Sequence, residues 1–313
     1  MGTHALFQDD VQFQNLGLVI VDEQHRFGVA QRLALKNKGA DVHQLMMSAT
    51  PIPRTLAMSF FADLDVSVID ELPPGRTPIK ARLVNGVRRS EVEGLVLGAG
   101  RKGQQAYWVC PLIEESETLQ LQTATETQAA LQAALPELSI GLVHGRMKAA
   151  EKAEVMAEFS AGRLNVLVAT TVIEVGVDVP NAALMVIEHA ERMGLAQLHQ
   201  LRGRVGRGAA ASACVLLFAE PLGDIAKARL KVIYEHTDGF EIARQDLNIR
   251  GPGEFLGARQ SGVPMLRFAD LEEDLPLLEA ARNIAPQLID ERPDIVDAHL
   301  ARWLASRESY LGV

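Results

Sequence analysis

The chain has 313 residues, 48% of them hydrophobic and 23% charged, the balance of an ordinary globular protein long enough for about two cores. Its formal net charge of −9 excludes a protein that coats nucleic acid through overall positive charge, while leaving room for a local basic groove. No stretch reaches the length of a membrane span and the start MGTHALFQDD lacks the basic and apolar regions of a signal peptide, so no membrane association and a cytoplasmic location are expected.

Strand signals alternate with helical ones through most of the chain, the pattern of βα units and parallel sheets. The stretch GLVIVDEQHRFG begins this series: residues 16–21 read as a strand buried on both faces, with Asp22, Glu23, Gln24 and His25 emerging at its carboxyl end. Open α/β sheets bind ligands there. Nucleotide hydrolases use an Asp at that place to hold Mg²⁺ and a neighbouring acid to orient or deprotonate the attacking water. The same residues also suit a helix start, with Asp22 as cap and Glu23 as a favourable first-turn charge. A helix over 29–36, a strand over 44–50, a short helix after Pro53 and a strand over 66–70 follow. The segment ELPPGRTPIK, with its three prolines and a glycine, then breaks the alternation and marks a boundary between two lobes.

Beyond the boundary the pattern restarts with KARLVN, a helix near 88–99, the strand QAYWVCPLI, a helix near 124–135 and the strand SIGLVHG. The helix KAAEKAEVMAEFSAG places Ala149, Ala153 and Met156 on one face and ends at Gly162. Strands NVLVATTVI and AALMVIEHA, a helix around 195–201 and the strand ACVLLFAE complete the lobe. Cys110 and Cys214 both lie in apolar strands and are expected as buried free thiols, not as disulfide or zinc ligands. From about Pro221 the chain becomes helical, with a glycine-rich interval at 251–262. In the tail, Leu277, Ala281, Ile284 and Leu288, then Val296, Leu300 and Trp303, recur at helical spacing; packing against the second lobe is expected, with a partner-binding helix as the alternative.

Two segments point to phosphate chemistry. ATTVIEVGVDVP delivers Thr170 and Thr171 from a buried strand into a loop holding Glu174, Gly176 and Asp178, whose hydroxyls and amides suit phosphate oxygens but also ordinary turn chemistry. QLHQLRGRVGRG sets Gln200, Arg204 and Arg207 among glycines that permit close backbone approach. Paired guanidiniums fit the charge of a transferring phosphoryl group better than they fit surface ion pairs, which are indifferent to the glycines. The phosphate-cradling pattern G-x-x-x-x-G-K-[ST] does not occur, since no Lys in the sequence follows a Gly.

Read in order, GTHALFQ, DEQH, SATPIPRTLA, VATTVIEVGVDVPNA and QLHQLRGRVGRG resemble motifs Ib, II, III, V and VI of superfamily 2 helicases. DGFEIARQDLNIRGPGEFLGARQSG (238–262) is similar to the translocation motif shared by the RecG family and the transcription-repair coupling factor, and its combination with DEQHRFGVAQR resembles RecG. The resemblance implies an α/β fold of RecA-like lobes: a partial first lobe at 1–72, a complete second lobe at 76–220 and a helical translocation region at 221–313. It implies ATP and Mg²⁺ as cofactors, branched or duplex DNA as partner, and work in DNA repair and recombination. Asp22 would hold the metal and Glu23 activate water. Gln24 and His25 would relay nucleotide state, although His25 also fits a buried structural histidine.

By the same resemblance, Ser48 and Thr50 would join hydrolysis to DNA movement, Thr170, Thr171, Gly176 and Asp178 would face the inter-lobe cleft and the DNA backbone, and Arg204 and Arg207, with Gln200, would serve the γ-phosphate. Arg250 and Gln260 would transmit closure to DNA, although Arg250 also fits a helix-end ion pair. The family's wedge domain and phosphate loop have no counterpart in the sequence, so this chain alone is expected to hydrolyse ATP negligibly. A non-catalytic DNA-binding module and the coupling factor's motor remain the alternatives. Family members act largely as monomers, whereas an unpaired first-lobe strand edge here would favour fraying or self-association.

Overall fold

The computed structural model describes residues 2, 4–8, 10–23, 31, 34–35, 38–39, 42–48, 67–69, 71, 79–111, 117–170, 179–208, 211–250 and 274–304. Two compact units divide the chain, one formed by 1–64 with 263–313 and the other by 65–262. The divisions expected near residues 72 and 220 rest on motifs; the compact units rest on packing.

In the first unit, strand β1 (Leu18–Val21) pairs in parallel with β2 (His43–Met46), Val21 lying opposite Met46. Burial alternates along β1: Val19 and Val21 pack with Leu35, while Leu18 and Ile20 point outward, 55% and 57% exposed. The strand is therefore buried on one face rather than two. Gln31, Ala34 and Leu35 are helical, within the expected helix over 29–36. The strand expected over 66–70 does not form at the described residues 67–69; a strand requires a ladder partner, and Ile69 is 90% exposed without one.

The second unit is built on six parallel strands: β3 (Ala81–Asn85), β4 (Gln105–Cys110), β5 (Ile140–Val143), β6 (Val166–Thr170), β7 (Ala182–Ile187) and β8 (Ala213–Phe218). Their order is β3-β8-β7-β4-β6-β5, so β4 lies between β7 and β6. Every residue of β4 is buried, as a strand covered on both faces requires. On one face Ala106, Trp108 and Cys110 pack against α1 (Arg89–Arg101) and α2 (Glu117–Ala134) through Val92, Val96, Ala124 and Leu131. On the other, Tyr107 and Val109 meet α3 (Ala149–Ser160), α4 (Leu195–Arg202), α5 (Asp224–Glu235) and α6 (Gly239–Arg250). The rings of Tyr107 and Phe159 meet edge to face with centroids 4.9 Å apart.

Helix α3 ends where expected, with Gly162 at φ +76, a conformation that glycine adopts without the Cβ penalty. Both thiols are free and buried, and burial pushes each up to about 12, so neither is a thiolate near neutrality. The tail forms α7 (Leu275–Glu291) and α8 (Pro293–Leu304). Its apolar stripe is not a packed core: Leu277 is 66% exposed, and Ile284, Leu288 and Leu300 are exposed as well. Among the described residues no helix is long and apolar enough to cross a membrane.

Candidate functional site

Asp22 and Glu23 leave β1 at its carboxyl end, and Ser48 leaves β2 at the same edge, because Met47 still donates its amide to the Val21 carbonyl at 2.8 Å. Asp22 is exposed, and its Oδ1 accepts the Glu23 amide at 2.9 Å. Glu23 stands at φ 51, in the left-handed region that a residue with a side chain enters at a cost. The turn thus sets the two carboxylates at the strand end without a glycine. Among the described residues no three His, Cys, Asp or Glu side chains cluster to hold a metal by themselves. An Asp at a strand end still fits Mg²⁺, which takes one or two carboxylates and completes its shell with water and substrate phosphates.

In the second unit Thr170 ends β6 at the carboxyl edge of the sheet. It is buried, and among the described residues its Oγ1 has no hydrogen-bond partner. The arginine segment lies at the opposite edge. Helix α4 runs back from the end of β7, so residues 203–208 precede β8 at the amino edge, beside Ile79 ahead of β3 and Pro180 ahead of β7. The structure thus places Arg204 and Arg207 on one loop and separates them from Thr170.

Packing shapes that loop. Val205 is fully buried in the core shared with α4 and α5, which pins the loop between the two arginines. Gly206 has φ +73, and a Cβ there would come within 2.7 Å of the Ile79 Cδ1; a Cβ on Gly208 would collide with the Pro180 carbonyl. Arg204 is left half-buried and Arg207 exposed. Among the described residues Arg204 makes no salt bridge, unlike the surface arginines Arg88, Arg101 and Arg163. Gln200 sits half-buried on α4 one turn before Arg204.

Sequence reasoning missed Arg202, the last residue of α4. It is 4% exposed, and its Nη1 donates to the carbonyls of Ile233 (3.1 Å) and His236 (2.7 Å). Its Nη2 donates to the Thr237 carbonyl at 3.1 Å and to His199 Nδ1 at 3.0 Å. Burial, with the Arg202 charge second, pulls His199 down to about 4, so near neutrality the ring is uncharged and its Nδ1 is free to accept. No sequence pattern marks this residue, because three of its four partners are backbone carbonyls.

A second missed cluster lies at the carboxyl ends of β4 and β7. Buried Glu188 pairs with Arg89, whose guanidinium stands 5.1 Å from the Trp108 ring centroid. His144 is half-buried and held below its usual range, first by burial and then by Lys152 and Arg146, in keeping with a structural histidine. Gln24, His25, Thr50, Thr171, Gly176, Asp178 and Gln260 lie outside the described residues, as does the side chain of Arg250, the last residue of α6.

A six-stranded parallel sheet covered by helices on both faces, with an arginine loop wedged at its edge, is the carboxyl-terminal lobe of a RecA-like helicase. The family model described as the helicase conserved C-terminal domain matches residues 89–209. That described as ATP-dependent DNA helicase RecG, domain 3, C-terminal, matches residues 236–303. ATP-dependent DNA helicase RecG of Acidithiobacillus ferridurans is 59% identical over 310 residues, which is 99% of this chain and 45% of that protein. RecG of Escherichia coli K12 is 58% identical over 315 residues, 99% of this chain and 46% of its own length. A solved structure of RecG bound to a three-way DNA junction aligns with a TM-score of 0.68 at 50% identity, covering 89% of this chain and 36% of that one. The chain belongs to the RecG family and corresponds to its carboxyl-terminal region; it spans a little under half the length of these curated relatives. The RecG domain 3 match also decides for RecG over the coupling factor's motor.

Proposed function

We propose that the chain is the motor portion of a cytoplasmic, ATP-dependent DNA helicase that remodels branched DNA in recombination and repair, with segments 1–72, 76–220 and 221–313 as partial first lobe, second lobe and translocation region. The arginine loop carries this reading. Val205, buried between Arg204 and Arg207, fixes the backbone that presents both guanidiniums, in a chain nearly 60% identical to named RecG helicases.

In this reading Asp22 holds Mg²⁺ and Glu23 orients the attacking water. Gln24, His25 and Gln200 contact nucleotide with Gly176 and Asp178, while Arg204 and Arg207 neutralise charge that builds on the γ-phosphate. Bound magnesium and ATP would supply the transferable phosphoryl group and the metal's share of that neutralisation. Ser48 and Thr50 join hydrolysis to DNA movement, Thr170 and Thr171 face the DNA backbone, and Arg250 and Gln260 pass lobe movement to it. Positioning supplies most of the rate in phosphoryl transfer, and the loop that positions the phosphates is the part this sequence lacks. The isolated chain therefore turns ATP over negligibly.

Phosphate release by the isolated chain in the presence of branched DNA tests this. The expected result is a rate at background, and robust turnover would show that the phosphate loop is dispensable.

A further inference from the structure

We infer that Gln128 and Gln132 guard the free edge of β5, and that without them a second copy of this chain adds its own β5 there, joining two sheets edge to edge. The inference goes beyond the proposed function and does not depend on it.

Strand β5 ends the second sheet: among the described residues it pairs with β6 and has no neighbour on its other side. Such an edge offers unpaired amides and carbonyls to any extended chain, and charged side chains are one common way of blunting it. At the opposite edge of this sheet Lys80 stands exposed just ahead of β3, and Arg82 stands exposed within it. The IGLV of β5 carries neither a charge nor a proline, so its protection has to come from outside the strand.

Helix α2 supplies it. Ser139 turns its carbonyl towards β6, where the Asn165 and Val166 amides donate to it at 2.8 and 3.2 Å. Backbone groups of successive strand residues point to opposite sides, so the Ile140 carbonyl points out of the sheet. Gln128 Nε2 donates to that carbonyl at 3.0 Å, and Gln132 Nε2 donates to the Leu138 carbonyl at 3.1 Å. The two glutamines stand one turn apart on α2, which Leu131 anchors in the same core as Leu138 and Ile140. An added strand would have to lift both side chains and break both bonds before it could use the edge. A second copy is the partner the edge fits. The outward groups are the same in each copy, so two antiparallel β5 strands can satisfy each other about a two-fold axis.

The double change Gln128→Ala with Gln132→Ala removes both caps and leaves a good helix former at each position. In sedimentation velocity the double variant is expected to self-associate about tenfold more tightly than the unaltered chain, the scale of a neutral hydrogen bond. Hydrogen exchange at 139–143 is expected to slow as its concentration rises; association through the first sheet would slow 18–21 instead. Gln128→Met with Gln132→Met keeps the bulk of both side chains but donates nothing, so it guards against misfolding of the alanine pair and should move in the same direction. Self-association no tighter than that of the unaltered chain in each pair that keeps the native far-UV spectrum overturns the guard, as does tighter association whose slowing misses 139–143.

Discussion

The two sheets of this molecule are made from the same kind of strand and end in different states. LVIV of β1 and QAYWVC of β4 are both apolar, yet β4 is buried along its whole length while Leu18 and Ile20 of β1 face outward. The difference lies in what flanks them. Strand β4 has a neighbour on each side and helices on each face; β1 pairs with β2 and has one covered face. An apolar strand is stabilising only where something removes it from water. The carboxylates Asp22 and Glu23 therefore stand on the less supported sheet, and the arginines on the better supported one.

Trp108→Ala removes a fully buried side chain from the centre of the second sheet and should cost about 3–5 kcal/mol in urea unfolding followed by far-UV circular dichroism. The double change Leu18→Ala with Ile20→Ala should cost less than about 1 kcal/mol, as two exposed substitutions do. Equal costs would mean that the first sheet is as well packed as the second.

Acid should find the second unit through His199. Its folded value is depressed from 6.5 to about 4, so between those pH values the unfolded chain binds a proton that the folded one refuses, and stability falls as pH falls through the window. The full loss is on the order of 3 kcal/mol. His199→Gln keeps an acceptor for Arg202 and should flatten the stability profile between pH 6.5 and 4; an unchanged profile would show that His199 is not the group responsible. The exposed carboxylates paired with arginines, such as Glu91 and Glu137, are held below their usual values and act only at lower pH.

Gly208→Ala sharpens the picture of the arginine loop. Its Cβ would meet the Pro180 carbonyl, which should destabilise the unit by about 1–3 kcal/mol and loosen 203–208 in hydrogen exchange. The smallest effect on stability is expected at the outer face of the first sheet. Replacing Leu18, Ile20 and Leu45 with Ser should leave unfolding nearly unchanged but lower self-association in sedimentation velocity. A chain already monomeric at high concentration would show that the exposed first sheet does not drive self-association.

Much of the second unit was legible because its strands are short apolar runs bounded by turn residues. Strands NVLVATTVI, AALMVIEHA and ACVLLFAE contain β6, β7 and β8, and Gly162 marks the end of α3. The misreadings share a cause. VSVID has strand composition but gains no ladder partner at 67–69, and the tail's stripe has helical spacing while Leu277, Ile284, Leu288 and Leu300 stay exposed. Periodicity reports which face is apolar, not whether a neighbour arrives. The arginine pair was visible as a motif, whereas its place at the amino edge follows from the direction of α4, and Arg202 acts through carbonyls that any sequence could supply.

In the proposed function the acid pair and the arginine loop serve one hydrolytic reaction. Junction-stimulated phosphate release by this chain, fused behind the remaining amino-terminal length of the Acidithiobacillus ferridurans relative, tests this. Turnover should appear in the fusion and fall at least a hundredfold in Asp22→Asn and in Arg207→Ala alike, the scale of losing a charge-stabilising group ~10²–10³. Undiminished turnover in either variant would show that the two groups do not share a reaction.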